Sequence, residues 1–276
     1  MRTASPLRYP GGKWRLSKFF HALLEQNFAS APGYIEPYAG GGSLALSLLF
    51  EDKVSNIWLN DLDPAIHACW TAILDEPDRF CEAILSTPIS LGEWQKQKKL
   101  YRCGTASGTF SLGFATFYLN RTNHSGILNG GVIGGKAQVG PWKLDARFNK
   151  VELVRRITKI KERRKQIKLT NLDAEKLLGT LRKNGRSLVY LDPPYVGAGK
   201  ALYMNSYGIG DHQLVRDRAL ALKRLWVVSY DDVPLINTLY KGLKSHRISL
   251  NHTARVAKIG REVLYFSHDC LIPVLN

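Results

Sequence analysis

The sequence is poor in cysteine and in long apolar runs, and both shortages restrict the kind of protein it can be. Its four cysteines are far apart, with no C-x-x-C pair and no histidine at zinc-finger spacing near them. We therefore expect no metal site and predict reduced thiols in a cytoplasmic protein. The apolar run LALSLLF at 44–50 is too short to cross a bilayer, and the first residues lack the apolar stretch of a signal peptide. No association with a membrane is expected.

Acidic residues are scarce relative to basic ones. The chain has 39 lysines and arginines against 23 aspartates and glutamates, a formal net charge of +16. An excess of this size is typical of proteins that meet phosphate or another anionic surface, and it favours nucleic acid as the partner. A basic surface that serves only solubility is the alternative. Hydrophobic residues make up 45% of the chain, which is enough for a sizeable core.

Strand and helix signals alternate along much of the chain. The segment 33–50 predicts a short strand, a glycine-rich turn and a helix that begins near Ser43, and VSNIWLNDLDP predicts the next strand. This order favours an α/β fold with a mostly parallel sheet and right-handed crossovers. Five later segments complete a predicted sheet of seven strands, and they are QIKLTNLDAEKLL, SLVYLDPPY, LWVVSYDD, SHRISLN and EVLYFSH. Helices are predicted between them, as at 211–224 and 232–242.

The pattern changes after the second strand. Helices are predicted near 65–75, 77–85, 91–102 and 109–120, followed by the glycine-rich loop NRTNHSGILNGGVIGGKAQVGPWKLDARFNK. Such a long loop inside a compact domain is usually functional. We therefore predict a sheet domain formed by 1–65 and 151–276, interrupted by a helical insert at 66–150 whose loop forms a hairpin.

The turn EPYAGGGS at 36–43 has the features of a cofactor site. Glycine lacks a Cβ, so a ligand can approach the backbone N–H groups at the start of the following helix. Asp61 ends the next strand 21 residues after Gly40, close to the interval at which an acid binds ribose hydroxyls in nucleotide-binding α/β units. The G-x-G-x-x-G order of dinucleotide sites is missing, so another nucleoside-bearing cofactor fits better. Alternatively, the turn is a simple corner and Asp61 only caps the next helix.

The stretch LDPPY at 191–195 places an acid at the end of a buried strand, where ligands bind in open α/β sheets. Pro193 and Pro194 remove two N–H donors and leave a rigid rim of acceptors. Tyr195 offers a ring on which a base can stack, an interaction worth about 1–3 kcal/mol. Two acceptors, the Asp192 carboxylate and a backbone carbonyl, suit the activation of an exocyclic amine for attack on a methyl group. This role requires Asp192 to lie beside the 39–43 turn and outside an internal ion pair; a plain strand-terminating turn is the alternative.

Several sequence blocks together resemble a known family. In chain order they are LRYPGGK (7–13), IEPYAGGGS (35–43), NDLD (60–63), FYLNRTNHSG (117–126), LDPPY (191–195), VSYDD (228–232) and EVLYFS (262–267). Their order resembles the Dam-like (D12 class) DNA adenine-N6 methyltransferases, which use S-adenosylmethionine. The resemblance implies a Rossmann-like class I methyltransferase fold in which the insert recognises the target.

The resemblance also implies roles for particular residues. Tyr9 and Lys13 would line the cofactor pocket near the amino-acid end of S-adenosylmethionine. The methionine part of the cofactor would lie on Glu36, Pro37, Ala39, Gly40, Gly41, Gly42 and Ser43. Asp61 and Leu62 would bind the ribose, and Asp173 would lie near the cofactor adenine or act only as a helix N-cap. The catalytic motif would be Asp192, Pro193, Pro194 and Tyr195, with Asp192 also beside the cofactor.

An adenine inside a duplex must be flipped out to reach such a site, so other contacts have to hold the DNA. Two basic clusters could do this, QKQKKLYR (95–102) and KVELVRRITKIKERRKQIK (150–168), although the second has apolar residues near helical spacing and its charges could simply face solvent. Arginine, asparagine and glutamine read purine edges, which favours the loop for sequence recognition. The predicted DNA contacts are Arg8, Asn120, Arg121, Asn123, His124, Ser125, Lys136, Gln138 and Lys143.

The leading interpretation is thus a site-specific adenine-N6 methyltransferase acting on double-stranded DNA. Methylation of cytosine N4 or of adenine in RNA uses the same kind of amine pocket. A DNA-binding protein that keeps the scaffold without catalysis is the alternative from another class. We expect a monomer, and the resemblance allows a cognate restriction endonuclease as a further partner.

Overall fold

The chain forms one seven-stranded sheet with helices packed around it. The computed structural model describes residues 4–8, 13–181, 185–196, 207–252 and 258–274. The sheet order is β3-β2-β1-β4-β5-β7-β6, which confirms the predicted α/β fold of Rossmann-like type. The strands are β1 (Gly33–Glu36), β2 (Asn56–Asn60), β3 (Ile167–Thr170), β4 (Ser187–Leu191), β5 (Trp226–Asp231), β6 (Ser245–His252) and β7 (Lys258–Phe266).

Strand direction decides where the sheet can bind a ligand. β1 to β5 are parallel to one another, and β7 runs antiparallel to both β5 and β6. From β1 the chain goes outward to β2 and β3 and then returns to β4 on the other side of β1. The carboxyl ends of β1 and β4 therefore flank a topological switch point, where open α/β sheets place their ligands.

The helices predicted from the sequence begin within two residues of their predicted starts. The described helices are α1 (Ser17–Asn27), α2 (Ser43–Phe50), α3 (Pro64–Asp75), α4 (Pro77–Ser86), α5 (Leu91–Arg102), α6 (Thr109–Thr122), α7 (Lys150–Glu162), α8 (Ala174–Thr180), α9 (Ile209–Ala221) and α10 (Pro234–Leu239). Side-chain caps explain several starts: Asp63 accepts from the N–H of Ala65 at α3, and Asp173 accepts from the N–H of Glu175 at α8. The helix predicted over 232–242 is shorter at both ends in the structure. Pro234 is its first residue, a position that proline favours.

The insert between β2 and β3 shares its core with the sheet. One hydrophobic cluster contains Trp70 and Phe117 of the insert together with Ile57 and Leu59 of β2. The predicted hairpin in the loop is reduced to one isolated antiparallel bridge between Asn123 and Val132, and the rest of the loop consists of turns. No helix within the described ranges is long and apolar enough to cross a membrane.

Close packing of α3 against α6 depends on Gly113. A Cβ added there would lie 2.4 Å from the carbonyl oxygen of Ala68, which is backbone and cannot easily move. We expect Gly113→Ala to destabilise the protein by about 1–3 kcal/mol, the usual cost of overpacking. Urea unfolding measures this, with Gly179→Ala in α8 as the matched control, since nothing lies within 4 Å of its added Cβ. The control should be neutral or slightly stabilising, and equal unfolding midpoints for the two variants would contradict the prediction.

Candidate active site

Asp192 follows β4 at the switch point, and its two carboxylate oxygens have different contacts. Oδ1 accepts hydrogen bonds from the Ser229 hydroxyl at 2.7 Å and the Tyr195 hydroxyl at 3.2 Å, and it lies 3.3 Å from the Lys13 ammonium. Within the described part of the chain, Oδ2 makes no polar contact. The side chain is 26% exposed. One oxygen is therefore fixed by the protein, while the other can accept a hydrogen bond from a ligand.

The ion pair with Lys13 differs from the expectation of an unpaired carboxylate. That expectation is corrected in part, because the pair involves Oδ1 alone and does not cover the second oxygen. Ser229 on β5 is itself held at 2.8 Å by the hydroxyl of Tyr190 on β4. Since Ser229 gives its only proton to Asp192, Tyr190 must be the donor to Ser229. Two neighbouring strands thus fix the orientation of the acid.

Lys13 is the centre of a buried ionic cluster. Its ammonium lies 3.1 Å from each carboxylate oxygen of Glu262 on β7, and it donates to the Tyr195 hydroxyl. The lysine and Glu262 side chains are only 4% and 1% exposed. The sequence predicts that Lys13 lines a cofactor pocket, and this stays a prediction; its ammonium contacts Asp192 and Tyr195 of the LDPPY motif. Sequence reasoning missed Glu262, whose one signal is an acid within the otherwise apolar strand segment EVLYF.

The glycine turn after β1 is tied to the end of β2. Gly40 and Gly42 have positive φ angles of 46° and 54°, which residues with a side chain adopt at a cost. The Gly40 N–H donates to Asp61 Oδ2 at 2.7 Å, and the indole of Trp70 donates to the Gly40 carbonyl at 2.8 Å. Burial raises the pKa of Asp61 to about 6. Asp63 rather than Asp61 caps α3, so the simple capping role suggested for Asp61 is wrong.

Glu36 lies buried beneath this turn, close to Asp192. Its Oε1 accepts from the Tyr34 hydroxyl at 2.9 Å, and its carboxyl also accepts from the N–H of Ala45 in the first turn of α2. The helix needs this acceptor because its N-cap, Gly42, has no side chain. Burial, with a contribution from the charge of Asp192, raises the pKa of Glu36 to about 8. Glu36 therefore stabilises the start of α2 and the turn that precedes it.

A cleft of about 620 Å³ opens beside the turn, within the usual size range of small-molecule sites. Its walls include Tyr38, Leu62, Asp173 and Tyr207. Asp173 is both the N-cap of α8 and a wall of the cleft, so its two predicted roles are compatible. The hydroxyls of Tyr38 and Tyr207 are 3.2 Å apart. These aromatic and acidic groups fit a nucleoside, and sequence reasoning had assigned no role to either tyrosine.

The remaining predicted cofactor residues have varied placements. Pro37 and Ala39 are buried between the ends of β1 and β2, where the Pro37 carbonyl accepts from Asn60 and the Ala39 N–H donates to the Asn60 carbonyl. Gly41 is buried within the turn and Ser43 begins α2. Tyr9 lies outside the described residues. No group of three or more potential metal-binding side chains occurs among the residues that are described.

Two predicted base readers are buried instead. Asn120 is 1% exposed, accepts from the Arg8 N–H and donates to the carbonyls of Arg8 and Gly126. Asn123 is fully buried, accepts from the Trp94 indole and donates to two loop carbonyls. These amides hold the loop to α6, so their placement does not suit contact with bases. The sequence alone does not distinguish an exposed asparagine side chain from a buried one.

Arg121 and Gln138 also serve the loop. Arg121 is 9% exposed and donates to the carbonyls of Pro6 and Arg147, and burial together with neighbouring arginines lowers its pKa to about 9. Gln138 donates to two loop carbonyls and accepts from the N–H of Leu144. Three of the predicted contacts, His124, Lys136 and Lys143, are exposed to solvent. They remain predictions.

A second cavity, of about 390 Å³, lies where the N-terminal segment meets the loop. Arg8, His124, Ser125, Trp142 and Arg147 line it, and Trp142 is 63% exposed. Burial and the charge of Arg147 lower the pKa of Arg8 to about 10. The guanidinium groups of Arg8 and Arg147 thus lie close together despite their mutual repulsion.

The two basic clusters differ in how their charges are used. Basic residues of 150–168 form ion pairs with Glu152, Asp78, Asp52 and Asp75, so much of their charge is compensated within the protein. In the first cluster, Lys98 is close enough to Arg102 and Lys136 for both to lower its pKa, after the larger effect of burial. Apart from Lys96, which pairs with Glu93 at 3.7 Å, the basic residues of this cluster and of the glycine-rich loop form no ion pair with the described residues. Val151, one of the apolar residues near helical spacing in 150–168, is 76% exposed, whereas Leu153 of α7 is buried.

Comparison with known proteins gives a family match. A family model described as D12 class N6 adenine-specific DNA methyltransferase matches residues 9–254. The type II methyltransferase M.MjaIII of Methanocaldococcus jannaschii is 22% identical over 218 residues, which are 73% of this chain and 72% of that protein.

Solved structures with a similar overall shape include two from other organisms. PH1948 of Pyrococcus horikoshii has a TM-score of 0.42 at 9% identity, covering 95% of this chain and 85% of that one. HI0767 of Haemophilus influenzae has a TM-score of 0.37 at 11% identity, covering 91% and 96%. Likeness at this level says nothing about what this chain binds. The family match, by contrast, spans nearly the whole chain, so the protein belongs to the D12 class N6 adenine-specific DNA methyltransferase family and is a DNA methyltransferase that uses S-adenosylmethionine.

Proposed function

We propose that the protein transfers a methyl group to the N6 amine of an adenine flipped out of double-stranded DNA at a specific sequence. The observation that carries this proposal is the Asp192 carboxylate at the switch point. Its Oδ1 is bound by the protein, while its Oδ2 makes no polar contact with the described residues. An adenine amine has two N–H donors and a lone pair delocalised into the ring. A rigid acceptor that binds one N–H favours a pyramidal nitrogen, whose lone pair is available for attack.

The residues of the motif have separate roles in the proposed reaction. Asp192 Oδ2 accepts one amine N–H, and the second N–H is taken by the backbone carbonyl of Pro193, which accepts no hydrogen bond from the other described residues. Pro193 and Pro194 restrict the backbone that carries these acceptors. The Tyr195 ring, fixed through its hydroxyl to Lys13 and Asp192, provides the stacking surface for the base. Asp192 then takes the proton that the methylated amine loses.

The cofactor fits beside this motif. The residues that would hold it are the 39–43 turn for the methionine part, Asp61 and Leu62 for the ribose, and Tyr38, Asp173 and Tyr207 for the adenine. S-adenosylmethionine supplies an electrophilic methyl group whose loss leaves a neutral thioether. The raised pKa of the buried acids around the turn is consistent with a site closed to bulk water, where electrostatic interactions are strong.

The DNA would lie across the loop and the first basic cluster. Arg8 in the loop cavity and Lys13 in the ionic cluster are five residues apart, a length of chain that spans at most about 18 Å. A duplex held on His124, Lys136, Lys143 and the Arg8–Arg147 cavity is therefore near enough to deliver a flipped base to Asp192. Ser125 and Trp142 line the same cavity.

Lys136→Ala is expected to weaken DNA binding and to lower its salt dependence. Loss of one phosphate contact reduces the slope of log K against log salt by about 0.9. Fluorescence anisotropy with a duplex at several salt concentrations measures this slope. Lys165→Ala is the control. Lys165 is exposed just before the amino end of β3, whereas the proposed site lies at the carboxyl ends of the strands. Identical slopes for Lys136→Ala and the wild type would contradict a phosphate contact by this lysine.

The proposed reaction is tested by incubating the protein with methyl-labelled S-adenosylmethionine and mixed-sequence duplex DNA, then digesting the DNA to nucleosides. Label in N6-methyldeoxyadenosine is the expected result. Label in N4-methyldeoxycytidine would replace the proposed substrate, and label only in RNA added as competitor would move the reaction to RNA. Tight DNA binding without label would favour a non-catalytic binding protein.

A further inference from the structure

Glu262 is a buried acid in a strand that otherwise contributes to the core. The residues that follow it, 263–266, are all buried and apolar or aromatic. In the sheet register Glu262 lies opposite Asp231 of β5 and Ile248 of β6. Burying a carboxylate is costly unless it is paired, and here both oxygens face the Lys13 ammonium at 3.1 Å.

The position of Lys13 depends on this pairing. Its ammonium has two acids within reach, Glu262 at 3.1 Å and Asp192 Oδ1 at 3.3 Å, and it also donates to the Tyr195 hydroxyl. The ammonium lies 4.8 Å from the centre of the Tyr195 ring. Lys13 therefore contacts Glu262 on β7 and both ends of the catalytic motif after β4, and Glu262 also forms a hydrogen bond with Tyr195 directly.

We infer that Glu262 is a positioning residue for methyl transfer: it anchors Lys13 so that the lysine fixes Asp192 Oδ1 and the Tyr195 hydroxyl while leaving Oδ2 to accept the amine. This inference rests on the proposed function. Without Glu262, Asp192 would be the one anionic partner left to the ammonium at this distance among the described residues. It would then move toward Asp192, weaken the carboxylate as an acceptor and disturb its orientation. A displacement of about 1 Å at a reacting group can reduce a rate by about 100-fold.

The test measures single-turnover methyl transfer at saturating S-adenosylmethionine and DNA for the wild type, Glu262→Gln, Lys13→Met and the double variant. We expect Glu262→Gln to lower the rate by about 10- to 100-fold, with dissociation constants for cofactor and DNA within about twofold of the wild type. Because Glu262 acts mainly through Lys13, adding Glu262→Gln to Lys13→Met should cause little further loss. Glu25→Gln, an exposed acid paired with Lys53, is the matched control and should keep the wild-type rate.

A wild-type rate in folded Glu262→Gln would overturn the inference, as would full additivity with Lys13→Met. If Glu262→Gln does not fold, Glu262→Asp keeps the charge but shortens the side chain. A reduced rate in folded Glu262→Asp supports positioning, and an unchanged rate overturns it. If the wild type transfers no methyl group to adenine, the proposed function fails; an active wild type with an equally active Glu262→Gln removes this inference alone.

The pH profile gives a readout that a purely structural role would not affect. Burial raises the pKa of Glu262, while Lys13 opposes the shift. As pH falls through this pKa, Glu262 gains a proton and releases Lys13, so the wild-type rate should fall toward that of Glu262→Gln, which lacks this acid limb. The ionisable groups that face Glu262 are Lys13, Asp192, Tyr195, Tyr190 and Asp231, and from β6 the facing residue is Ile248, beside Arg247. An acid limb equal in both proteins would contradict the inference.

Discussion

Asp192→Asn is expected to lower the single-turnover rate of methyl transfer by about 1,000-fold while the protein stays folded. The substituted amide has nearly the same shape. Its oxygen would remain on Ser229, Tyr195 and Lys13, which are all donors in this cluster. The NH₂ group would then take the place of Oδ2 and present a donor to the N–H of the adenine amine. The acceptor, the negative charge and the site for the departing proton are lost together.

Rapid-quench experiments with labelled S-adenosylmethionine measure this rate, and titrations measure cofactor and DNA binding separately. Binding of both should change little, because Asp192 is expected to act on the amine rather than to hold the DNA. Asp217→Asn, an exposed position on α9, is the matched control and should behave as the wild type. A rate for Asp192→Asn within tenfold of the wild type would show that the carboxylate is not the amine acceptor.

Glu36→Gln is expected to remove a large pH-dependent component of stability. The folded protein raises the pKa of Glu36 from an ordinary 4.5 to about 8. A carboxyl whose pKa is raised by folding contributes stability that is fully present below the unfolded pKa and is lost as pH rises to the folded value. Between pH 5 and pH 8 the wild type should therefore lose about 4 kcal/mol of unfolding free energy through this group. The glutamine cannot ionise and should not show this loss.

Urea unfolding of both proteins at pH 5, 6, 7, 8 and 9 tests this expectation. The difference in unfolding free energy should move in favour of Glu36→Gln as pH rises and become constant above about pH 8. Asp61, whose pKa is raised to about 6, contributes to both proteins alike and cancels in the difference. Parallel curves for the two proteins would mean that Glu36 is already ionised at neutral pH.

Local patterns in the sequence were sufficient to predict the sheet and the position of Asp192 after β4. The segment SLVYL becomes a fully buried strand and NIWLN a largely buried one, because their apolar side chains fit a sheet covered on both faces. The prolines after Asp192 end β4 at the residue predicted, since neither can donate to a neighbouring strand. These features depend on residues close together in the chain.

Contacts between distant residues could not be read in the same way. Lys13 and Glu262 are 249 residues apart, and no local pattern pairs them. Asn120 and Asn123 are polar residues in a glycine-rich context, which favours an exposed recognition loop in sequence, yet the fold buries their amides against backbone carbonyls. An amide satisfies buried backbone groups as readily as it reads a base, and only its burial separates the two roles.

The central claim, that the acid after β4 prepares an adenine amine of DNA for methylation, can be tested most directly in cells. DNA from cells that express the wild-type chain or Asp192→Asn would be analysed by single-molecule sequencing, which detects modified bases at each position. We predict N6-methyladenine at one recurring sequence with the wild type and almost none with the variant. Absence of modification with the wild type, modification of cytosine instead, or an undiminished adenine signal with Asp192→Asn would contradict it.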